Sequence, residues 1–304
     1  MDIALVGAGI GGLTAAACLL KNGHRVRIYE QAGDVHEVGA AVQMSANAVK
    51  VLYHLGLRET LERMAVKPSS FEFRRFDTGE LLHEIRLGAD HEARHGHPYY
   101  QIHRVDLHAA LLAVVQGLDP QALQLGARAT HVTEQTHGAT IHFADGKSVQ
   151  AELVVGADGI KSVVRQHVVN AEPPVFTGQV AWRLAIPIER IAPELRPPIA
   201  STIWCGPNNH AVMYYMRSAK VLNFVGCVER PWEEESWTAR QPWRELDQDY
   251  AGWHPMVRAV IEAADRDQCF RWALNNRKPV MTWSTDHVTL LGDAVHPTLP
   301  YMAQ

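Results

Sequence analysis

Gly7, Gly9 and Gly12 stand in G-x-G-x-x-G spacing near the amino terminus, with Gly11 between them and an acid, Glu30, further on. Each residue type suits one task in holding a pyrophosphate. Gly7 permits a tight turn, Gly9 lets the backbone approach the anion, and Gly12 lets a helix pack closely on a strand. The free N–H groups at the start of that helix face the anion. Glu30, followed by Gln31, can accept hydrogen bonds from both hydroxyls of a ribose. The pattern reads as a dinucleotide site without saying which dinucleotide.

Two more turns join glycine to an acid after an apolar strand, Asp158-Gly159 in "GADGIKSVVR" and Gly292-Asp293 in "LLGDAVHP". A different chemistry is offered by His210 and Tyr214 in "HAVMYYM". Four residues apart on a strand, they share a face, because side chains alternate with period two. Histidine is the natural proton acceptor near neutral pH. The other reading of His210 is a strand-edge histidine facing water, since the chain carries 17 histidines. His91, His95 and His97 in "HEARHGH" have metal-like spacing. They read as part of a polar loop with no acidic partners, so no metal site is expected.

The elements that must position these residues follow from local pattern. "DIALVGAGIGGLTAAACLLKNGHRVRIYE" gives strand, turn, helix and second strand in the order that a dinucleotide fingerprint needs. "VGAAVQMSANAVKVLYHLGL" reads as a loop and then a helix. Residues 71–87 read as a β-hairpin turning at "DTG". "HRVDLHAALLAVV" has helical spacing, with Asp106 as a capping residue. From about Val175 to Arg266 short β-branched and aromatic runs dominate, then helical spacing returns. That stretch reads as a β-sheet lobe with a helical flank, completed by the early hairpin.

Composition excludes other classes. At 304 residues with 47 % hydrophobic and 20 % charged residues, the chain is an ordinary globular one with a real core. A net charge of −4 and no basic stripe argue against nucleic acid as a partner. The four scattered cysteines form no CxxC pair and suit a reducing compartment. No targeting segment and no membrane-length apolar run is read, so a soluble cytoplasmic protein is expected.

Taken in order, GAGIGG with Glu30, "HRVDL", "GADGIKSVVR" and "LLGDAVHP" resemble the single-component FAD-dependent aromatic hydroxylases, flavoprotein monooxygenases similar to para-hydroxybenzoate hydroxylase. Within them the chain looks most like salicylate, 3-hydroxybenzoate and 6-hydroxynicotinate hydroxylases. The resemblance implies an α/β fold: a Rossmann-like FAD-binding domain and a second, β-sheet-plus-helix substrate domain. The expected boundaries are 1–70, 98–174 and 267–304 for the first, and 71–97 and 175–266 for the second.

It also implies FAD as a tight, non-covalent cofactor, NAD(P)H as transient co-substrate, and O2, which adds at the flavin to hydroxylate an electron-rich ring. By the same resemblance Arg104, Asp158, Gly292 and Asp293 touch the cofactor, as does Gln43. His210 acts as base beside Tyr214, and Pro300 and Tyr301 lie near the substrate. Arg183 in "AWRLAIP" faces a carboxylate or makes a surface ion pair. Gln43 and Tyr301 stand where the hydroxynicotinate enzymes have histidines, which points toward benzoate-type acids, and Ser201 stands where they have cysteine.

The family's carboxy-terminal helices are missing after Gln304, so a truncated member is read, and a homodimer is left open. Two rivals are an inactive flavin-binding fragment and a flavin-dependent reductase of the geranylgeranyl reductase type. Labelled O2 entering the product separates the last from a hydroxylase.

Overall fold

The structure is a computed structural model, and it describes residues 1–34, 41–169, 172–231 and 240–300. The chain divides into two compact units. One comprises Met1–Glu37, Leu107–Val175 and Asn275–Leu299, the other Val38–Asp106, Phe176–Leu274 and Pro300–Gln304. The boundaries expected from sequence gave residues 41–70, 98–106 and 267–274 to the first lobe; compactness groups them with the second.

The first unit is built on a five-stranded sheet. Its order is Val288–Leu290, Leu153–Gly156, Asp2–Val6, Arg25–Tyr29 and Leu123–Gln124, and every pairing is parallel. Central parallel strands are covered on both faces, which is why "IALV" is a continuous apolar run instead of an alternating one. The helix Ile10–Lys21 turns Gly12, Leu13, Ala16 and Ala17 inward, and the three small ones, Gly12, Ala16 and Ala17, let it lie close. A three-stranded antiparallel sheet, Ala129–Gln135, Gly138–Phe143 and Ser148–Ala151, closes the unit. Its Val132, Ile141 and Phe143 share one core with Val154, Val164 and Leu290.

The second unit holds a seven-stranded sheet in the order Phe270–Asn276, Val175–Pro187, Val221–Glu229, Asn209–Met216, Ser201–Gly206, Ser70–Arg75 and Leu81–Arg86. The hairpin at "DTG" forms as expected, and its first strand joins the sheet by pairing in parallel with Ser201–Gly206. Alternate residues divide the two faces. Trp182, Trp204, Met213 and Phe224 pack against Leu246, Tyr250, Val257 and Val260 of the helices Trp243–Asp249 and Pro255–Glu262. The opposite face carries His210, Tyr214 and Arg183.

Four local readings change. "HEARHGH" is no loop: Ala89–His95 is a helix that ends at Gly96, whose φ of 78° is the left-handed conformation common after helices. Part of the stretch read as a loop before the first sheet-lobe helix is a strand, Ala41–Met44, paired antiparallel with Tyr100–His103. Asp106 is not a cap. It lies inside the first turn of the helix Arg104–Leu118 and grips Arg217 through two bonds of 3.0 and 3.1 Å. The strand Phe270–Asn276, in which Phe270, Trp272 and Leu274 alternate with Arg271 and Asn275, lies beyond the stretch read as the sheet lobe and forms an edge of the large sheet.

Candidate functional site

In the first unit the parallel register sets the geometry. Val6 lies level with Gly156 and with Tyr29, and Gly156 with Leu290. The residues that follow, Gly7, Ala157-Asp158, Glu30 and Leu291-Gly292-Asp293, therefore emerge together at the carboxyl edge of the sheet. This is where open α/β sheets bind ligands. Two strand spacings, about 10 Å, separate the strand before Asp293 from the strand before Gly7. The three glycine-acid turns that the sequence scatters along the chain are thus neighbours.

Contacts at this edge explain each glycine. Gly7 has φ 101°, and a Cβ there would lie 2.5 Å from the Ala157 carbonyl oxygen. A Cβ on Gly12 would fall 2.1 Å from the Gly7 oxygen. At Gly9 a Cβ would meet no protein atom within 4 Å. Gly9 is also the residue before the helix, with no side-chain cap on the first-turn N–H groups. A bare backbone beside uncapped donors is the cradle an anion requires. At Gly11 a Cβ would sit 3.8 Å from Leu291 Cδ2, which brings the residue before Gly292-Asp293 against the glycine loop.

Glu30 ties this edge together. One carboxylate oxygen accepts from the Ala8 N–H at 2.8 Å and the other from the Ala32 N–H at 2.9 Å. Each oxygen keeps a lone pair, so both can accept from ribose hydroxyls. Gln31 follows in an exposed bend. His108 was not singled out by sequence; its Nε2 lies 2.7 Å from the Ala8 carbonyl oxygen, buried, and braces the loop from beneath.

Asp158 serves its own turn. Its carboxylate accepts from Ser162 Oγ at 2.5 Å and from the N–H groups of Val163 and Val164, and burial pushes its pKa up. Asp293 is exposed on a short turn whose Gly292 has φ 61°. Arg165, the last residue of "GADGIKSVVR", is buried and donates to the carbonyls of Ala294 and Val295 at 3.1 and 3.0 Å. That arginine links two motifs, a role its place in the sequence did not disclose.

The second unit gathers another set. On the face away from the helices, cross-strand register forms rows: Cys227, His210 and Cys205; Arg183, Val225, Val212 and Ile203; Asn223, Tyr214 and Ser201. His210 and Tyr214 do share a face, as period two requires. His210 is half-buried on a central strand, not at an edge facing water, and burial lowers its pKa. Burial raises the Tyr214 phenol to about 12. Behind His210, the Tyr250 hydroxyl donates to the His210 carbonyl at 3.2 Å.

Among the described residues Arg183 makes no surface ion pair. Its guanidinium lies 4.6 Å over the Trp272 ring, and burial pushes its pKa down. Among the described residues no carboxylate bridges it, and its buried Nε has no hydrogen-bond acceptor. A buried cation without a counter-ion is costly unless a ligand supplies the charge. Arg104, at the start of its helix, is close enough to lower the Arg183 pKa further.

Gln43 sits on the ribbon over this face. Its Oε1 accepts from Ser201 Oγ at 3.1 Å and from Tyr99 OH and Gln101 Nε2 at 3.3 Å each. Three donors on one oxygen hold the amide and leave its NH2 without a role among these contacts. Pro300 is exposed, and Tyr301 lies outside the described residues. Among the described residues no cluster of three or more His, Cys, Asp or Glu side chains is arranged for a metal ion. No described helix is long and apolar enough to cross a membrane.

A family model described as an FAD binding domain matches residues 1–304. The chain is 39 % identical over 303 residues to 3-amino-4-hydroxybenzoate 2-monooxygenase of Streptomyces platensis, covering 99 % of this chain and 75 % of that protein. It is 35 % identical to 6-hydroxynicotinate 3-monooxygenase of Bordetella bronchiseptica, covering 99 % and 78 %. Among solved structures it resembles Klebsiella pneumoniae HpxO complexed with FAD and uric acid. There the TM-score is 0.86 at 30 % identity, with 100 % of this chain and 75 % of that one covered. The open backbone at Gly9, the uncapped helix start and the two-oxygen acceptor at Glu30 all fit FAD.

Proposed function

The chain belongs to the family of FAD-binding-domain flavoproteins matched along its whole length, and from that premise we propose that it hydroxylates a phenolic aromatic acid with NAD(P)H and O2. Bound FAD would relay the two electrons of NAD(P)H to O2 and so supply the oxygen activation. Everything else falls to this chain's own side chains. The observation that carries the reading is Arg183, a half-buried arginine with a covered, unpaired Nε and no carboxylate partner among the described residues, on the face shared with His210 and Tyr214.

Arg183 holds the carboxylate of the acid, and Trp272 keeps the guanidinium in place from its other side. The ring lies on the Val212–Val225 row. His210 accepts the phenol proton. A phenol titrates near 10, so it is mostly protonated at neutral pH, and removing its proton drives electron density to the ortho and para carbons. The depressed pKa of His210 keeps its imidazole neutral and able to accept. In the first unit, the Gly7–Gly12 loop and helix start take the FAD pyrophosphate and Glu30 takes the ribose. Asp293, two strands away, takes the cofactor further along its length. Asp158 contributes by holding its turn against Gly7, since its carboxylate oxygens are occupied by Ser162, Val163 and Val164.

A panel of phenolic acids and their carboxamides, tested for stimulated NAD(P)H oxidation with the product identified, decides the matter. The expected result is stimulation by one or more acids, none by the matching carboxamides, and one atom from labelled O2 in the product. Stimulation by acid and carboxamide alike removes Arg183 from its role, and unlabelled product removes the oxygenase.

A further inference from the structure

Gln43 and Ser201, singled out in the sequence but given no task in the reaction above, are one hydrogen-bonded unit. The Ser201 hydroxyl, buried on the large sheet, donates to Gln43 Oε1 at 3.1 Å. Tyr99 OH and Gln101 Nε2 approach the same oxygen at 3.3 Å, and both of those residues are buried too. An NH2 has two hydrogens and cannot answer three groups, so the carbonyl oxygen belongs at this end of the amide. The other end is thereby fixed as a donor.

That donor is open to a ligand. Gln43 is half-buried, and its Nε2 bonds to none of the described residues. Nor is it among the polar atoms that the fold seals from solvent, as Gln101 Oε1 is. Register gives its place. Ser201 lies level with Tyr214 on the neighbouring strand, and Ala41, two residues before Gln43, packs against that tyrosine. The row of Val225, Val212 and Ile203 runs between the row of His210 and the row of Tyr214 and Ser201. Strand order puts Arg183 at one end of that middle row, three strands from Ser201. A ring lying there, its carboxylate at Arg183, has His210 along one edge and the Ser201–Gln43 pair along the other.

We propose that Gln43 is a specificity-determining residue, whose NH2 donates to an oxygen carried on the ring edge opposite His210. The inference rests on the hydroxylase reading above. It selects phenolic acids with an acceptor at that edge over those with a methyl or an amino group. A methyl leaves Nε2 without its partner, and an amino group is the worse mismatch, because it sets N–H against N–H.

The test titrates the FAD-loaded full chain, by calorimetry, with three acids that differ at one position. They are 4-hydroxybenzoates carrying a 3-methoxy, a 3-methyl or a 3-amino group. The unmutated protein is expected to bind the methoxy acid about fivefold more tightly than the methyl one, the value of one hydrogen bond, with the amino compound weakest. Gln43→Glu keeps an oxygen for Ser201, Tyr99 and Gln101 and turns the other end into an acceptor. Its order should invert, the amino compound binding most tightly. The added charge weakens all three acids alike, so the order is the readout. Gln43→Leu should bring the three within about twofold of one another, since nothing is left to discriminate. It also strands three buried donors, so if it melts too low to assay, the inversion in Gln43→Glu decides alone. FAD retention should match the unmutated protein in Gln43→Glu.

An unchanged order in Gln43→Glu, or no preference in the unmutated protein, overturns the inference and leaves the hydroxylase reading standing. Loss of FAD from Gln43→Glu also overturns it, assigning the NH2 to the cofactor. Binding by none of the three acids overturns it as well, and the wider panel of phenolic acids above then decides whether the hydroxylase reading falls with it.

Discussion

The carboxyl edge of the first sheet and the open face of the second are both ligand sites in this reading, but they are made of different material. The edge is backbone. Its shape comes from turns that only glycine can make and from N–H groups that no side chain caps. The face is side chain. Its character comes from which residue of each strand points one way, over five strands drawn from separate stretches of sequence. A site built from backbone is intolerant of added atoms, and its preference for an anion is fixed by N–H groups that no substitution alters. A site built from side chains can exchange its chemistry while keeping its frame. The common part of the reaction is thus placed on the rigid edge, and the choice of substrate on the adjustable face.

The sharpest way to break this contrast is to add a single carbon. Gly12→Ala should abolish FAD retention and lower the melting temperature together, because its Cβ would fall 2.1 Å from the Gly7 oxygen. Gly9→Ala should lose FAD affinity while keeping its melting temperature, since the same carbon there meets no protein atom within 4 Å. Flavin absorbance after gel filtration and thermal unfolding read the two effects separately. Equal loss of stability in both variants would dissolve the distinction between packing glycine and ligand glycine.

On the face, His210→Asn should retain FAD and lower the hydroxylation rate at pH 7 by about 10²-fold or more, in the range of general-base catalysis. The sign of the pH dependence follows from burial. Desolvation disfavours the imidazolium, so the pKa of His210 lies below the ordinary 6.5, and the neutral base persists into mild acid. The acid limb of kcat/KM should therefore have its midpoint below 6.5 in the unmutated protein and vanish in His210→Asn, with rate returning as pH rises toward the phenol's own pKa. An acid limb that persists in the variant would move the base elsewhere.

The smallest effect belongs to the support behind the edge. His108→Leu removes one buried hydrogen bond to the Ala8 carbonyl and should weaken FAD binding by about fivefold to tenfold, the value of one such bond. Isothermal titration of apoprotein with FAD would measure it. Undiminished affinity would show that the loop holds its shape without this brace.

How much could be read in advance follows the same division. Gly7, Gly9, Gly12 and Glu30 announce themselves because a turn with fixed geometry imposes fixed spacing. The Gly292-Asp293 turn was legible only through resemblance, since no local rule says that a strand near residue 290 will pair with one near 155. Arg165 and His108 were invisible. They act through backbone carbonyls more than a hundred and about a hundred residues away, and no spacing encodes that.

On the second face, period two correctly put His210 beside Tyr214 along their strand. It could not put Arg183 or Asn223 with them, because cross-strand register is fixed by pairing and not by the sequence of either strand alone. The helix at "HEARHGH" was missed for a related reason. None of its residues is buried, so no apolar stripe marks its period.

One arrangement reaches further than its modest size suggests. Tyr250, anchored among the helices on the far side of the sheet, grips the main chain of His210 and of Cys227. Whoever wishes to retune this catalyst need not touch the residues that meet the substrate. Small changes of volume around that phenol, hidden from every ligand, would tilt the strand that carries His210.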